Sequence, residues 1–436
     1  MSVTQFSDSP EKILEEQIKA CIHCGMCLPV CPTYNATLNE ANSPRGRIYL
    51  INDLIKSDEQ VDEKLAVEYL DNCLSCFACE TVCPSNVDYG GILHHARADL
   101  GYSKYNKGFF AFIRKLFFTI FINNRFLLRI LRLKLRLSSF LIKPLMQLFG
   151  YGQQAKLIPD IRGEYKTIHE EEIYYSKLEL DIPHEKRIVN FSLGCVMDAV
   201  YNDVHWDTIY VLNAFGFHVN ISKSKCCGSL LSHSGEFKHG EKLKKKFSKI
   251  VKEEGLPLVT NSAGCGAYLK EGLGGSSVGV YDFIEVIKRA PINPLKEKVF
   301  NGEILYHPAC HLNHRQGVSG DYEQLLRSVQ GLDVFTLNQK DTCCGSAGFY
   351  NLIKSDMAQK IGEMKAKEIE DFETPFQNSS ATRLENERNA VDGDLGMGCK
   401  TLVTANPGCM SQIKAHLASD YVVLHPATFL RRILEN

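Results

Sequence analysis

At 436 residues, with 44% hydrophobic and 23% charged side chains, the chain has the make-up of a globular protein of two or three domains, not of a disordered or fibrous one. A formal net charge of −1 argues against a general nucleic-acid binder. Seventeen cysteines behind a polar, acidic N-terminal stretch that does not resemble an export signal imply a reducing compartment and metal chemistry.

Residues 11–18 carry an amphipathic pattern and are expected to form a short helix leading into Cys21. Two cysteine runs follow: Cys21, Cys24, Cys27 and Cys31 before Pro32, then Cys73, Cys76, Cys79 and Cys83 before Pro84. Both read C-x2-C-x2-C-x3-C-P, the run that holds a [4Fe–4S] cluster in bacterial ferredoxins. Thiols three positions apart in a tight turn reach one face of a small cluster, and the proline turns the chain away afterwards. In two-cluster ferredoxins the fourth cysteine ligates the other cluster. That rule expects Cys21, Cys24, Cys27 and Cys83 on the first cluster, and Cys73, Cys76, Cys79 and Cys31 on the second. A single zinc ion would use only four of the eight thiols, and a disulfide framework belongs to short secreted chains.

About forty residues of mostly helical pattern join the runs, so an α-helical ferredoxin domain over residues 1–100 is expected, not one built on β-hairpins. Within the join, Ser43-Pro44-Arg45-Gly46-Arg47-Ile48-Tyr49-Leu50 offers two arginines. They either neutralise thiolate charge or form a solvated turn ahead of a helix.

Residues 100–159 contain eleven Lys or Arg and no Asp or Glu, among apolar runs rich in Phe, Leu and Ile. Cations interrupt every long apolar run, so a transmembrane helix is not expected. A basic amphipathic linker over 101–185 is expected to contact a membrane or a partner, or else to pack on its own domains.

From residue 186 onward the chain repeats itself. One copy carries Cys195, Cys226, Cys227 and Cys265; the other carries Cys310, Cys343, Cys344 and Cys409. The first interval is 31 positions in copy one (195 to 226) and 33 in copy two (310 to 343). The next is 38 (227 to 265) against 65 (344 to 409), so copy two holds an insertion of about 27 residues near 372–398, read as a surface loop. In each copy the thiols fall where apolar strands end in an alternating α/β pattern, the edge at which such sheets bind ligands. A duplicated α/β cysteine-rich fold over 186–290 and 302–436 is expected, with a metal or redox site in at least one copy. Buried cysteine as a small hydrophobe is the bland alternative. His307, His311 and His314 surround Cys310, and His23 lies inside the first run; neither group is expected to supply a metal ligand. Cys399, inside the insertion, has no counterpart and reads as an incidental thiol.

The two cysteine runs, the Ser-Pro-Arg-Gly-Arg-Ile-Tyr-Leu segment and the doubled Cys-Cys-Gly elements together resemble the iron–sulfur subunit of glycolate oxidase. The layout is also similar to the iron–sulfur subunit of anaerobic glycerol-3-phosphate dehydrogenase. Lactate-utilisation proteins share the Cys-Cys-Gly (CCG) repeats, and heterodisulfide reductase subunits share both elements. Each repeat here ends Cys265-Gly-Ala-Tyr268 or Cys409-Met-Ser-Gln412, without the fifth thiol of the heterodisulfide reductase pattern, which puts that activity in doubt. The resemblance implies two [4Fe–4S] clusters, and a further cluster, a zinc ion or redox thiols in the cysteine-rich repeats. It implies FAD on a partner dehydrogenase subunit, with electrons from a 2-hydroxy acid passing toward a membrane quinone. The chain is then a relay, not catalytic alone, cytoplasmic or peripheral on the cytoplasmic membrane face. A thiol–disulfide reductase and a structural zinc scaffold are the competing readings. No dinucleotide, phosphate-loop or nucleophile–base signature appears that would make the chain a dehydrogenase by itself.

Overall fold

The computed structural model describes residues 10–56, 62–100, 124, 127, 128, 130, 132, 133, 165–170, 172–233, 235–273, 278–337, 343–372 and 400–436. Among those described, residues 10–100 form helices and no strand: α1 (Pro10–Lys19), α2 (Pro32–Thr37), α3 (Pro44–Ile55), α4 (Glu63–Asp71), α5 (Ala78–Thr81) and α6 (Tyr89–Leu100). The helix α3 starts where the sequence supplies a cap. The Ser43 hydroxyl accepts from the Gly46 amide at 3.0 Å, and Pro44 takes the first helical position. Gly46 is required by close approach, since a Cβ there would stand 2.0 Å from the Glu40 carbonyl oxygen. Leu14 and Ile18 of α1 pack against Ile48 and Ile51 of α3 and Ile92 of α6, building a small core beneath the cysteine runs.

Two sheets follow. The first comprises β1 (Ile173–Tyr174), β2 (Ile188–Phe191), β3 (His218–Ile221), β4 (Leu258–Thr260) and β5 (Val280–Asp282) in the order β1-β3-β2-β4-β5. Only β1 runs antiparallel, as an edge strand drawn from the acidic end of the linker. The second comprises β6 (Val299–Tyr306), β7 (Gln330–Thr336), β8 (Lys400–Val403) and β9 (Tyr421–Leu424), all parallel, in the order β7-β6-β8-β9. Strand for strand, this matches β3-β2-β4-β5 of the first sheet. Parallel strands such as Tyr-Val-Val-Leu of β9 read as near-continuous apolar runs, as strands buried on both faces do.

The two sheets meet face to face at their helices. The Ala263 amide donates to the Ala405 carbonyl at 3.3 Å, Tyr201 and Ser411 share a hydroxyl–hydroxyl bond of 2.6 Å, and Arg431 pairs with Asp207 at 2.9 Å. The helical N-terminal part docks on the second sheet's domain. The Tyr350 hydroxyl donates to the Asn72 carbonyl at 3.0 Å, Arg315 pairs with Glu80 at 3.1 Å, and Leu74, Cys76 and Ala78 join the same apolar core as Leu305 and Tyr306.

His425 ties the two repeats together as a neutral imidazole. Its Nε2–H donates to the Asn261 carbonyl at 2.9 Å, while Nδ1 accepts from the Ala427 amide at 3.1 Å and caps the last helix, Pro426–Glu435. Burial holds this ring's pKa down at about 3. The unfolded chain therefore binds a proton that the folded chain refuses as pH falls below the ordinary value of about 6.5. Stability present above that pH drains away on acidification, by up to about 1.4 kcal/mol per pH unit from this group. His425→Gln keeps a donor and an acceptor but does not titrate. Thermal melts of the full chain between pH 7 and 5 are expected to fall less steeply for the variant. Equal slopes would remove His425 as the cause.

The basic part of the linker, residues 101–159, lies almost wholly outside the described residues. Of the described positions, Leu128 packs with Cys195, Cys226 and Leu231, Arg132 donates to the Ala199 carbonyl at 3.0 Å, and Leu133 is 61% exposed. One side of this stretch thus packs internally, and an apolar residue still faces outward. Of the insertion near 372–398 only Phe372 is among the described residues, and Cys399 also lies outside them. Among those described, no helix is long and apolar enough to cross a membrane.

Candidate metal centres

The two cysteine runs share a backbone shape. His23 and Gly25 have φ of +55° and +83°; Ser75 and Phe77, at the same offsets in the second run, have +51° and +64°. Each run therefore places left-handed residues immediately before and after its second cysteine. Three of these four residues carry side chains that disfavour this conformation, and strain of this kind concentrates at functional sites. In the second run's turn the Ser75 amide donates to Cys73 Sγ at 3.4 Å, and beyond the run the Val87 amide donates to Cys83 Sγ at 3.4 Å. Thiolate-rich loops with amides turned inward suit a cubane cluster, whose potential depends on such bonds and on nearby charge. Among the described residues, no three His, Cys, Asp or Glu side chains converge on a single-ion geometry.

Cys21 and Cys27 are half-buried, Cys24 is exposed, and Cys31 is buried. Cys31 does not stay with its own run alone. Its charge acts on Cys27, but also on Cys76 and Cys79 of the second run. Burial, then the like charges of Cys310 and Cys73, push the Cys76 thiol well up; burial and then Cys76 do the same to Cys79. Cys73 behaves oppositely. Burial would raise it, yet the guanidinium groups of Arg47 and Arg97, together with the Ser75 amide and the Tyr89 hydroxyl, hold it below the ordinary thiol value.

The paired arginines of the Ser-Pro-Arg segment have separate fates. Arg47 is fully buried, with Nε donating to the Tyr69 carbonyl at 2.7 Å and Nη2 to Thr33 Oγ1 at 3.0 Å. Arg45 stays nearer the surface, where it pairs with Glu40 at 2.6 Å and donates to the His23 carbonyl at 2.9 Å. Arg97, which no sequence signal singled out, is also buried and donates to the Leu70 and Cys73 carbonyls, each at 2.7 Å.

Each repeat gathers its four thiols beyond the C-terminal ends of parallel strands, from three separate chain segments. In the first, Cys195, Cys226 and Cys227 influence one another's thiols in that order, and Cys227 Sγ lies 3.4 Å from Cys265 Sγ. In the second the same order runs Cys310, Cys343, Cys344, with Cys344 Sγ 3.2 Å from Cys409 Sγ. Both quartets have the donor chemistry of a cluster or a thiophilic ion, although neither is drawn into single-ion geometry, and both keep adjacent cysteines that could work as a redox pair.

The second quartet has features of its own. The charge of Cys310 acts on Cys76 across the interface, and that of Cys76 acts on Cys343. Lys365, 1% exposed and paired with Glu368 at 2.8 Å, lowers the cost of charge on Cys310. The three histidines near Cys310 do not act together. His307 bonds Thr404 at 2.9 Å, His314 bonds Thr81 at 2.8 Å, and His311 alone meets sulfur, its Nδ1 3.5 Å from Cys310 Sγ. Residues 311–316 form a π-helical turn, a form frequent at functional sites, which lets His311 point back at the preceding cysteine. His23 is exposed at the mouth of the first run.

A profile described as a 4Fe-4S dicluster domain matches residues 17–87, and one described as a cysteine-rich domain matches twice, over 189–270 and 304–414. The chain is 29% identical to the probable glycolate oxidase iron-sulfur subunit of Bacillus subtilis (strain 168), with 93% of this chain and 90% of the other aligned. It is 27% identical to the glycolate oxidase iron-sulfur subunit of Escherichia coli (strain K12), covering 81% and 85%. It is 22% identical to one subunit of the dihydromethanophenazine:CoB--CoM heterodisulfide reductase of Methanosarcina acetivorans, covering 86% and 89%.

Proposed function

We propose, from a chain that joins a 4Fe-4S dicluster domain to a cysteine-rich domain matched twice, that this protein is the electron-transfer subunit of a flavin-dependent 2-hydroxy acid oxidoreductase of the glycolate oxidase type. The observation that carries the reading is the packing of Cys76, in the second ferredoxin run, into the same apolar core as Cys343 of the second repeat, with Cys310 against it. Thiols of two domains thus share one packed interior. When bound, [4Fe–4S] clusters move single electrons at potentials set by charge and hydrogen bonding. The crossed sets are Cys21, Cys24, Cys27, Cys83 and Cys73, Cys76, Cys79, Cys31, in an α-helical ferredoxin domain. The chain's own contribution is electrostatic. Arg47 and Arg97 balance thiolate charge around Cys73, and Lys365 does so at Cys310. The Ser75 and Val87 amides stabilise sulfur without bringing further charge.

The hydride-abstracting flavin belongs to a partner dehydrogenase subunit, and a membrane quinone is the acceptor. Purified anaerobically from its native host, the chain is expected to bring down a flavoprotein whose flavin is bleached by glycolate or lactate. The isolated chain, loaded with iron, is expected to be inert toward those acids with a dye acceptor. Oxidation of either acid by the isolated chain would overturn the reading.

A further inference from the structure

A cavity of about 390 Å³ lies where the three cysteine-bearing parts of the molecule meet. That size is within the range of small-molecule sites. Each wall is close to a sulfur centre. Ser75 and Phe77 flank Cys76, Tyr268 follows Cys265 by three positions, and His311 adjoins Cys310. Another wall is α6, whose Leu93, His94 and Arg97 face the space and whose C-terminus leads directly into the basic apolar segment.

The lining suits a flat, neutral ring bearing oxygen atoms. Charge is largely cancelled within it: Arg315 pairs with Glu80 and Glu271, and Lys244 with Glu241. Aromatic faces and edges supply the rest. Phe77 is 5.8 Å from His311 edge-on, Phe237 is 4.6 Å from His94, and Lys244 sits 4.4 Å above Tyr268. Two imidazoles, His233 and His311, meet edge to face at 5.2 Å. His311 Nε2 is buried and has no hydrogen-bond partner, although its Nδ1 is engaged by Cys310. A buried imidazole nitrogen left without a partner is costly unless a ligand atom completes it.

We infer that this junction cavity is the binding site for a quinone-class acceptor, whose ring stacks among Phe77, Phe237 and Tyr268 and whose oxygens reach His311 Nε2 and the His233 ring. The choice of acceptor rests on the electron-transfer reading above; the existence of a ring-binding site does not. A quinone reduced there takes up two electrons and two protons and leaves as a quinol. The electrons originate in the flavin hydroquinone of the partner, and the protons come from solvent.

Menadione, a soluble naphthoquinone, tests the site on the isolated full-length chain, without flavoprotein or hydroxy acid. Equilibrium dialysis should show binding to the parent. The affinity should fall by about tenfold in His233→Phe and in Phe237→Ala, as loss of one hydrogen bond or one aromatic wall predicts, with the iron content unchanged. A photoreactive naphthoquinone should label peptides spanning 88–97 or 232–244 of the parent chain, and excess menadione should protect them. This second measurement decides the matter should both variants fail to fold. No menadione binding, unchanged affinity in both folded variants, or label confined to other peptides would overturn the cavity assignment. None of those outcomes bears on whether a flavoprotein co-purifies, so the two proposals fail separately.

Discussion

Cys31→Ser is expected to strip the chain of the cluster whose other ligands lie more than forty positions further on, and to leave the cluster of its own run in place. Cys31 is 6% exposed, its sulfur lies 3.3 Å from Thr33 Oγ1, and its charge acts on Cys76 and Cys79. The anaerobic protein should keep roughly four of eight irons and lose one of two EPR signals. Double variants make the crossing decisive. Cys31→Ser with Cys73→Ser should look like either single variant, because both remove ligands of one cluster. Cys31→Ser with Cys21→Ser should lose both. The reverse pattern, with the first pair iron-free and the second retaining half, would mean that each run holds its own cluster.

The second large effect is expected at Arg47. Its guanidinium is 0% exposed, donates to Tyr69 and Thr33, and is kept charged against the cost of burial by Tyr89, Cys73 and Cys31. Arg47→Met removes the cation and leaves those acceptors and thiolates without it. Breaking a buried charge network by deleting one partner costs about 3–5 kcal/mol. Arg47→Lys should recover part of that cost by restoring charge without the fork geometry. The loss of a positive charge beside Cys73 should also make the adjoining centre harder to reduce, so its midpoint potential should move down. Denaturation of the anaerobic protein and a redox titration give the two readouts. A Met variant with parental stability and potential would show that Arg47 only fills space.

Legibility differed from one part of the molecule to another for physical reasons. Cys21 to Cys31 and Cys73 to Cys83 could be read directly, since ligands three positions apart are a local property of the chain. The strand ends bearing Cys195 and Cys310 were visible because apolar runs repeat with the same order of cysteines after them. The edge strand Ile173–Tyr174 was not visible, as two residues carry no period. Arg97 and Lys365 gave no signal, because a charged residue within a helical pattern reads as surface until packing buries it. His233 and His311 come from elements 78 positions apart, and nothing local in either segment anticipates their contact.

The amino-acid sequence by itself therefore determined the donor chemistry: eight thiols in two ferredoxin runs, and four in each of two repeats. Spacing along the backbone and the period of apolar residues are covalent facts that need no fold. Tertiary structure alone decided which of these groups meet. The packing of Cys76 into one core with Cys343, the burial of Arg47 beside Cys73, and the cavity between three domains all arise where helices and sheets far apart in sequence pack. Their common cause is the burial of apolar surface, which brings distant segments together and strengthens every charge enclosed between them.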